Sequence, residues 1–399
     1  MGRHVYYLEH RAMNCPVCRS SIFTQLYSIK QVPVFLNRRW TSRAAARAAE
    51  IGALSTEKCT KCGFVWNSAF EPDRVIYDQA YENDQTHSAA FQKHLAEVAD
   101  RTIAAAESRP FHLLEVGCGQ GVFLAELANR AGDLLLSATG YDPTYRGERK
   151  MPSNVTIAEK YFNRDTAPLM TVRPNIVVTR HTIEHVPDPV HFLSSIRDAI
   201  NGDATLLIET PDVEWIVSRG EFQDLFYEHC SLFTADSLAL AMGRAGWNPS
   251  RIDRVFGDQY LLATGTTSHV ATDLSHALNK AAESKKLDPH NFLSHWKQVI
   301  HSANQPIALW GAGAKGVTFA MLVDPGADAI KAVVDINPEK QGHYLPKTGI
   351  PIISPSAAID LGIQTVLVMN PNYLEEITRK LKSLGSSATV IPVIGGDDH

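Results

Sequence analysis

The sequence predicts an α/β protein built from two doubly wound units, with a small cysteine-rich segment in front of them. Apolar strands alternate with helices in two separate stretches of the chain, and each stretch contains a strand, a glycine-rich turn and a helix in succession. Two C-x-x-C pairs precede both stretches. The 399 residues suffice for two or three domains, and we place their boundaries at 1–70, 71–265 and 266–399.

The composition is that of a globular protein, with 44% hydrophobic and 20% charged residues. A net charge of −5 argues against a protein that binds nucleic acid through a broad basic surface. No stretch reaches the ~18 apolar residues of a membrane span, and no apolar segment of signal-peptide length follows Met1. We therefore expect a cytoplasmic monomer or dimer, without nucleic-acid or membrane partners and with reduced cysteines.

The cysteine-rich segment has the ligand spacing of a structural zinc site. Cys15 and Cys18 form one C-x-x-C pair, and Cys59 and Cys62 form the second. Two such pairs can place four thiolates around one tetrahedral zinc ion, with no open position for catalysis. Four unrelated core cysteines would not explain this spacing. The long loop between the pairs has to contain a hairpin or a helix, and residues 42–51 are the helical candidate.

The first glycine-rich turn lies between a strand at 113–116 and a helix at 122–131. Its glycines let the backbone approach a ligand closely, and the helix N-terminus behind it favours a carboxylate or phosphate. The spacing is G-x-G-x-G rather than the G-x-G-x-x-G of dinucleotide folds, and acids stand before the turn and after the next strand. This pattern resembles motif I of class I S-adenosylmethionine (SAM) methyltransferases. The SAM ligands that it implies are Glu115, Gly117, Gly119, Gly121 and, for the ribose hydroxyls, Asp142.

The alternation of strands and helices extends through the whole central domain. The predicted strands are 113–116, 138–141, 176–179, 205–209 and 253–264. The predicted helices are 89–108, 122–131, 190–199 and 235–245. This is the βαβ pattern of a parallel sheet covered by helices on both faces.

A second glycine-rich turn, Gly311 to Gly316, follows a polar helical connector at 268–301 and a strand at 307–310. Further strands at 329–334 and 365–368 complete a second Rossmann-like unit, which repeats the architecture of the first without repeating its sequence. Lys315 at the start of the following helix favours a phosphate group, such as a nucleotide diphosphate, over a purely structural turn.

Histidines mark two loops that follow strands of the central domain. His181 stands next to the end of a strand and is the expected SAM contact, whereas His185 is expected to cap or pack. Farther along, Tyr227, Glu228 and His229 form a plausible acid–base group, because a histidine of near-neutral pKa can remove a proton from carbon beside a carbonyl. The alternative is a loop whose histidine hydrogen-bonds to the backbone.

The whole chain resembles the sugar C-methyltransferases, which methylate nucleotide-linked keto-deoxysugars such as dTDP-sugars. The marks of this resemblance are the four cysteines, Tyr77-x-x-x-Tyr81, Tyr227-Glu228-His229, Gly311 to Gly316, and Asp335 to Gln341 followed by Gly349-Ile350-Pro351. The resemblance implies that His229 is the base at the carbon α to the ketone, with Tyr227, Tyr81 and Glu228 nearby. We also expect Gly313, Lys315 and Glu209 to contact the acceptor.

Two positions depart from the family pattern: Asn83 replaces a tyrosine found in some members, and Phe226 stands where some members have the tyrosine before Glu-His. Three alternatives therefore remain open. The first is an O- or N-methyltransferase of a glycan or small metabolite, the second is an RNA-binding or RNA-modifying protein that uses the zinc knuckle, and the third is a non-catalytic SAM-binding scaffold.

Overall fold

The computed structural model describes residues 14–163, 165–167, 172–267 and 287–394. These residues form three sheets of four, seven and five strands, and the larger two carry helices on their faces. The predicted α/β class is confirmed. Most of the predicted connector at 268–301 lies outside the described residues. Among the residues that are described, no helix is long and apolar enough to cross a membrane.

The N-terminal sheet is antiparallel, and its first strands follow one cysteine pair and flank the other. Its elements are β1 (Phe23–Pro33), α1 (Arg43–Arg47), β2 (Ile51–Cys59) and β3 (Val65–Asn67). The hairpin of β1 and β2 and the short helix α1 together fill the loop between the cysteine pairs, so both predicted alternatives occur. The helix predicted at 42–51 is shorter because Ser42 caps its start and Ile51 already pairs with Pro33 in the sheet.

The central domain contains a seven-stranded sheet. Its elements are α2 (Ala89–Ala104), β4 (Phe111–Val116), α3 (Val122–Ala131), β5 (Leu135–Tyr141), β6 (Val155–Ala158), β7 (Ile176–Arg180), α4 (Pro189–Ile200), β8 (Thr205–Pro211), α5 (Val213–Arg219), β9 (Ser231–Leu232), α6 (Ala235–Arg244), β10 (Asn248–Val255) and β11 (Tyr260–Thr266). The strand order is β10-β11-β8-β7-β4-β5-β6, and β11 is the reversed strand, which pairs antiparallel with both β10 and β8. Strand β9 instead joins the N-terminal sheet beside β3.

The single strand predicted at 253–264 is wrong, because this segment is the hairpin of β10 and β11. Phe256, Gly257 and Asp258 all have positive φ and reverse the chain direction. The central core lies on both faces of the sheet, as the alternation of β4 illustrates: Leu113 packs with α2 and α3, whereas Leu114 packs with α4 and α6.

The C-terminal domain is a second doubly wound unit. Its elements are α7 (His290–His301), β12 (Ile307–Trp310), α8 (Ala314–Val323), β13 (Ile330–Val334), β14 (Ile352–Ile353), α9 (Pro355–Asp360), β15 (Thr365–Val368), α10 (Leu374–Ser383) and β16 (Thr389–Pro392). All its strands are parallel, in the order β14-β13-β12-β15-β16. The order reverses at β12, so ligands are expected at the carboxyl ends of β12 and β15, where the second glycine turn lies.

Candidate active site

The four predicted zinc ligands converge at the edge of the N-terminal sheet. The sulfurs of Cys15 and Cys62 are 3.6 Å apart, those of Cys18 and Cys59 are 3.4 Å apart, and all four lie within 4.8 Å of one another. A tetrahedral zinc ion with Zn–S bonds of about 2.3 Å requires S···S distances of about 3.8 Å. The cluster therefore fits a structural zinc ion after a small expansion.

The cysteine-bearing sheet also holds the segment that carries His229. Strand β3 pairs with β9 through Trp66 opposite Ser231, and the N–H of Asn67 donates to the carbonyl of Cys230 at 3.0 Å. His229 directly precedes these paired residues. The sheet at the zinc site is thus continuous, by backbone hydrogen bonds, with the loop of the predicted base.

The first glycine turn and Asp142 lie against each other. The N–H of Gly119 donates to Oδ2 of Asp142 at 2.8 Å, and Thr144 donates to Oδ1 through its N–H and its hydroxyl. Gly119 has φ +53, and a Cβ added there would have no atom within 4 Å, so open space faces the turn beside Asp142. Among the described residues, Oε2 of buried Glu115 has no hydrogen-bond partner, and burial raises the pKa of this carboxyl to about 8.

The other two glycines of this turn serve close packing. A Cβ at Gly117 would lie 2.0 Å from the hydroxyl of Thr182, and one at Gly121 would lie 2.4 Å from Ile157. Gly117 thereby brings the loop after β7 against the SAM turn. Gly121 is the N-terminal cap of α3 with φ +74. Of the three glycines, Gly119 has the open space that a ligand in this cradle would need.

A cavity of about 810 Å³ lies between the central and C-terminal domains. Its wall combines the loop after β7, the segment around residue 81, the His229 loop and the second glycine turn. The predicted site residues on this wall are Tyr81, His181, His229, Gly313 and Lys315. Asn37 of the N-terminal domain also lines the cavity, so residues from all the predicted domains meet around one space that is large enough for a small-molecule substrate.

His229 has the environment of a neutral imidazole base. It is half-buried on the cavity wall, its ring centroid is 4.8 Å from that of His185, and its buried Nδ1 has no hydrogen-bond partner among the described residues. Burial lowers the pKa of His229 well below its usual value, and His185 and His181 lower it further. The ring is therefore unprotonated at neutral pH and able to accept a proton.

His185 also lines the cavity, which corrects the expectation that it only caps or packs. Its Nδ1 lies 2.7 Å from the hydroxyl of Tyr77, and burial lowers its pKa. Tyr77 in turn packs edge-on against Tyr81 at 5.0 Å between ring centroids. Burial holds the pKa of both tyrosines well above the usual value, so both hydroxyls remain protonated.

Tyr227 does not contact the cavity, and the prediction that it acts on the substrate is wrong. Its ring packs in a different cluster against Phe70, at 5.3 Å between centroids, and against Gly52. Its hydroxyl accepts a hydrogen bond from the N–H of Glu71 at 2.9 Å. The preceding residue, Phe226, instead faces the cavity with its ring centroid 3.9 Å from that of His229.

Glu228 supports the backbone near the cavity. Its Oε2 accepts a hydrogen bond from the N–H of Leu36 at 2.8 Å, and its Oε1 has no partner among the described residues. Burial raises the pKa of this carboxyl to about 8. Glu228 therefore connects the His229 loop to the segment after β1, and its predicted membership of an acid–base group with His229 remains a prediction.

Glu209 is fully buried in an ion cluster, so the prediction that it contacts the acceptor is wrong. Its Oε2 lies 2.7 Å from Nε of Arg180, and its Oε1 is bonded to His94. Although burial opposes ionisation, Arg180 and the nearby His181 hold the pKa of this carboxyl well below its usual range.

His181 lies on the cavity wall. Its φ of +48 is an uncommon conformation for a residue other than glycine, and its Nδ1 is 3.5 Å from Glu184.

The two lysines near the second glycine turn differ in their partners. Lys315 is 2.7 Å from Asp224 and 3.8 Å from Glu221, and its ammonium lies over the ring of Trp215. Lys340 is 8% exposed, and its Nζ contacts two neutral oxygens, Asn37 Oδ1 at 3.3 Å and the carbonyl of Ala312 at 3.2 Å. Within the described ranges, no carboxylate forms an ion pair with Lys340. Sequence reasoning did not assign Lys340 a role, although the residue lies in a segment that carries the family resemblance.

Comparison with known families matches both doubly wound units. Residues 90–251 match the family described as "Methyltransferase domain", and residues 271–393 match the family described as "C-methyltransferase C-terminal domain". The C-methyltransferase NovU from Streptomyces niveus is 22% identical over 393 residues, which cover 91% of this chain and 90% of NovU. The protein is therefore a SAM-dependent methyltransferase.

More specifically, the match of the C-terminal unit and the similarity to NovU support a C-methyltransferase family for this chain. Among solved structures, it is similar to a SAM-dependent methyltransferase from Aquifex aeolicus, with 15% identity, a TM-score of 0.35, and coverage of 50% of this chain and 100% of that one. It is also similar to the 1,6-didemethyltoxoflavin-N1-methyltransferase of Burkholderia thailandensis, with 17% identity, a TM-score of 0.34, and coverage of 45% and 80%.

Proposed function

We propose that the enzyme methylates a carbon α to the ketone of a nucleotide-linked keto-deoxysugar. The observation that carries the proposal is His229, a half-buried imidazole with a lowered pKa on the wall of a cavity that joins the methyltransferase domain to a second Rossmann-like unit. NovU, a C-methyltransferase of similar length, supports carbon rather than oxygen or nitrogen as the methylated atom.

In this mechanism, His229 accepts the proton from the α carbon and leaves an enolate. The hydroxyl of Tyr81, which its raised pKa keeps protonated, donates a hydrogen bond to the enolate oxygen. Glu115, Gly119 and Asp142 hold SAM, which supplies an electrophilic methyl group to the enolate carbon. His181 borders this donor site. Alignment of the two reactants by the cavity accounts for a large share of the rate enhancement.

The nucleotide lies against the second glycine turn. Asp335 ends β13 in the position that Asp142 has after β5, and its Oδ2 accepts a hydrogen bond from the N–H of Ala312 at 2.8 Å. Gly313 keeps the backbone open at the N-terminus of α8, which favours an anionic group. Lys340 supplies the positive charge for the diphosphate, since carboxylates already neutralise Lys315.

Incubation with dTDP- and GDP-4-keto sugars in deuterated water tests the proposed base. The wild-type enzyme should exchange an α proton without SAM and methylate the same carbon with it. His229→Asn should abolish exchange yet still bind S-adenosylhomocysteine, whereas His191→Asn, on the exposed side of α4, should behave as wild type. Full turnover by the His229 variant would refute the assignment of the base.

The two lysines provide a separate test of the nucleotide site. A hydrogen bond to a charged group contributes about 1.5–3 kcal/mol, so Lys340→Met should raise the dissociation constant of a nucleoside diphosphate by roughly 10-fold or more. Lys315→Met should raise it less, because Lys315 is paired with Asp224. Isothermal titration with dTDP measures both constants, and the opposite ranking would assign the diphosphate to Lys315.

A further inference from the structure

Glu82 is a buried carboxylate that bridges the two ligand-binding domains. It is 2% exposed, and its Oε2 lies 2.8 Å from a guanidinium nitrogen of Arg146, in the segment that follows Asp142. Its Oε1 accepts a hydrogen bond from the side-chain amide of Asn337 at 3.0 Å, in the segment that follows Asp335.

On the donor side, the bridge continues to the first glycine turn. The N–H of Arg146 donates to the side-chain oxygen of Gln120 at 3.1 Å, and Gln120 donates back to the carbonyl of Thr144 at 2.8 Å. Thr144 donates to Oδ1 of Asp142, whose Oδ2 holds the N–H of Gly119. Every contact from Glu82 to the SAM turn is therefore a hydrogen bond or an ion pair.

On the acceptor side, the bridge reaches the second glycine turn in the same way. The N–H of Asn337 donates to Oδ1 of Asp335 at 2.8 Å, and Oδ2 of Asp335 accepts from the N–H of Ala312 at 2.8 Å. Arg146 also donates to the carbonyl of Tyr81 at 3.4 Å, so the bridge holds the backbone of a cavity residue.

We propose that Glu82 is a positioning residue that couples donor binding to acceptor binding. This inference rests on the proposed function, because it requires a nucleotide at the second turn. A ligand that orders either turn also fixes Asp142 or Asp335 and, through Glu82, lowers the cost of ordering the other turn. Such coupling is reciprocal: each ligand tightens the binding of the other by the same factor.

The test measures the dissociation constant of S-adenosylhomocysteine by isothermal titration, with and without saturating dTDP. In the wild-type enzyme, dTDP should tighten binding by about fivefold or more. Glu82→Gln should reduce the effect below about twofold, and Asn337→Ala, which leaves the Glu82–Arg146 pair intact, should do the same. Glu339→Gln is the matched control, because its partner Arg39 joins the same acceptor segment to the N-terminal domain on the exposed surface.

The outcomes separate this inference from the proposed function. If the wild-type enzyme binds no nucleoside diphosphate, both are overturned. If it binds dTDP and S-adenosylhomocysteine independently of each other, or if Glu82→Gln and Asn337→Ala keep the full wild-type effect, the coupling is refuted and the proposed function stands. Loss of the effect in both variants but not in Glu339→Gln supports the coupling.

Discussion

Gly52→Ala tests whether the N-terminal sheet positions the catalytic loop. A Cβ at Gly52 would lie 2.3, 2.7 and 2.9 Å from three ring carbons of Tyr227, whereas ordinary contacts begin at 3.4 Å. The ring therefore has to retreat by about 1 Å, yet it is fully buried and its hydroxyl is held by the N–H of Glu71. Overpacking of this kind costs about 1–3 kcal/mol of folding free energy.

The expected result is a lower melting temperature together with slower α-proton exchange. Differential scanning fluorimetry should show a decrease of about 2–4 °C for each kcal/mol lost. Tyr227 lies two residues before His229, and a misplacement of 1 Å can cost about 100-fold in rate, so exchange should fall by roughly 10- to 100-fold. Binding of S-adenosylhomocysteine should change little, because Gly52 lies in the N-terminal domain.

Gly202→Ala is the control, since a Cβ there would meet its nearest atom at 3.7 Å. It should melt and exchange like the wild-type enzyme. If Gly52→Ala also matched the wild type in both measurements, Tyr227 would not be packed tightly against β2, and the argument that the N-terminal sheet fixes the His229 loop would be refuted.

Three further predictions concern metal and pH. Cys59→Ser should lose the bound zinc, measured by mass spectrometry, and melt at a lower temperature; retained zinc would contradict the four-cysteine site. The folded-state pKa of Glu228, about 8, exceeds its ordinary value of 4.5, so the folded state binds more protons and stability should fall as pH rises between these values. When the free energy of unfolding is measured by urea titration at a series of pH values, Glu228→Gln should reduce this decrease with pH. An unchanged pH dependence in the variant would contradict the raised pKa of Glu228. Because the pKa of His229 is well below 6.5, exchange should persist as pH falls through 6.5, and a decline centred there would contradict its burial.

The sequence predicted the parts of the protein that depend on local pattern. Strand β12 and helix α3 have the predicted bounds, because each is a short apolar or amphipathic run with a glycine turn at one end. The cysteine spacing predicted the cluster for the same reason, since each C-x-x-C pair is a local structure. The hairpin of β10 and β11 was missed because one strand was predicted straight through Phe256, Gly257 and Asp258, where positive φ angles reverse the chain.

Contacts between distant segments account for the errors at the site. Glu209 is bonded to His94 from α2, which is not its neighbour in sequence. Lys315 lies on the cavity wall, and its predicted contact with the acceptor remains a prediction, but the sequence around it did not indicate its ion pair with Asp224. Tyr227 and Phe226 are adjacent, so a local pattern could not show which of the two faces the cavity. A signal was available for Phe226, because it stands where some family members have the tyrosine before Glu-His.

Because β3 pairs with β9, the N-terminal sheet cannot be completed until the segment with β9 has been synthesised. During synthesis, the cysteines and β1 to β3 emerge long before Ser231 and Leu232, so the first sheet has an open edge at β3 until most of the methyltransferase domain has been made. A chain cut near residue 70 would keep that edge exposed, and we expect it to associate with other chains. The N-terminal segment is thus a part of the central domain's folding unit, and its closure is a late, long-range step.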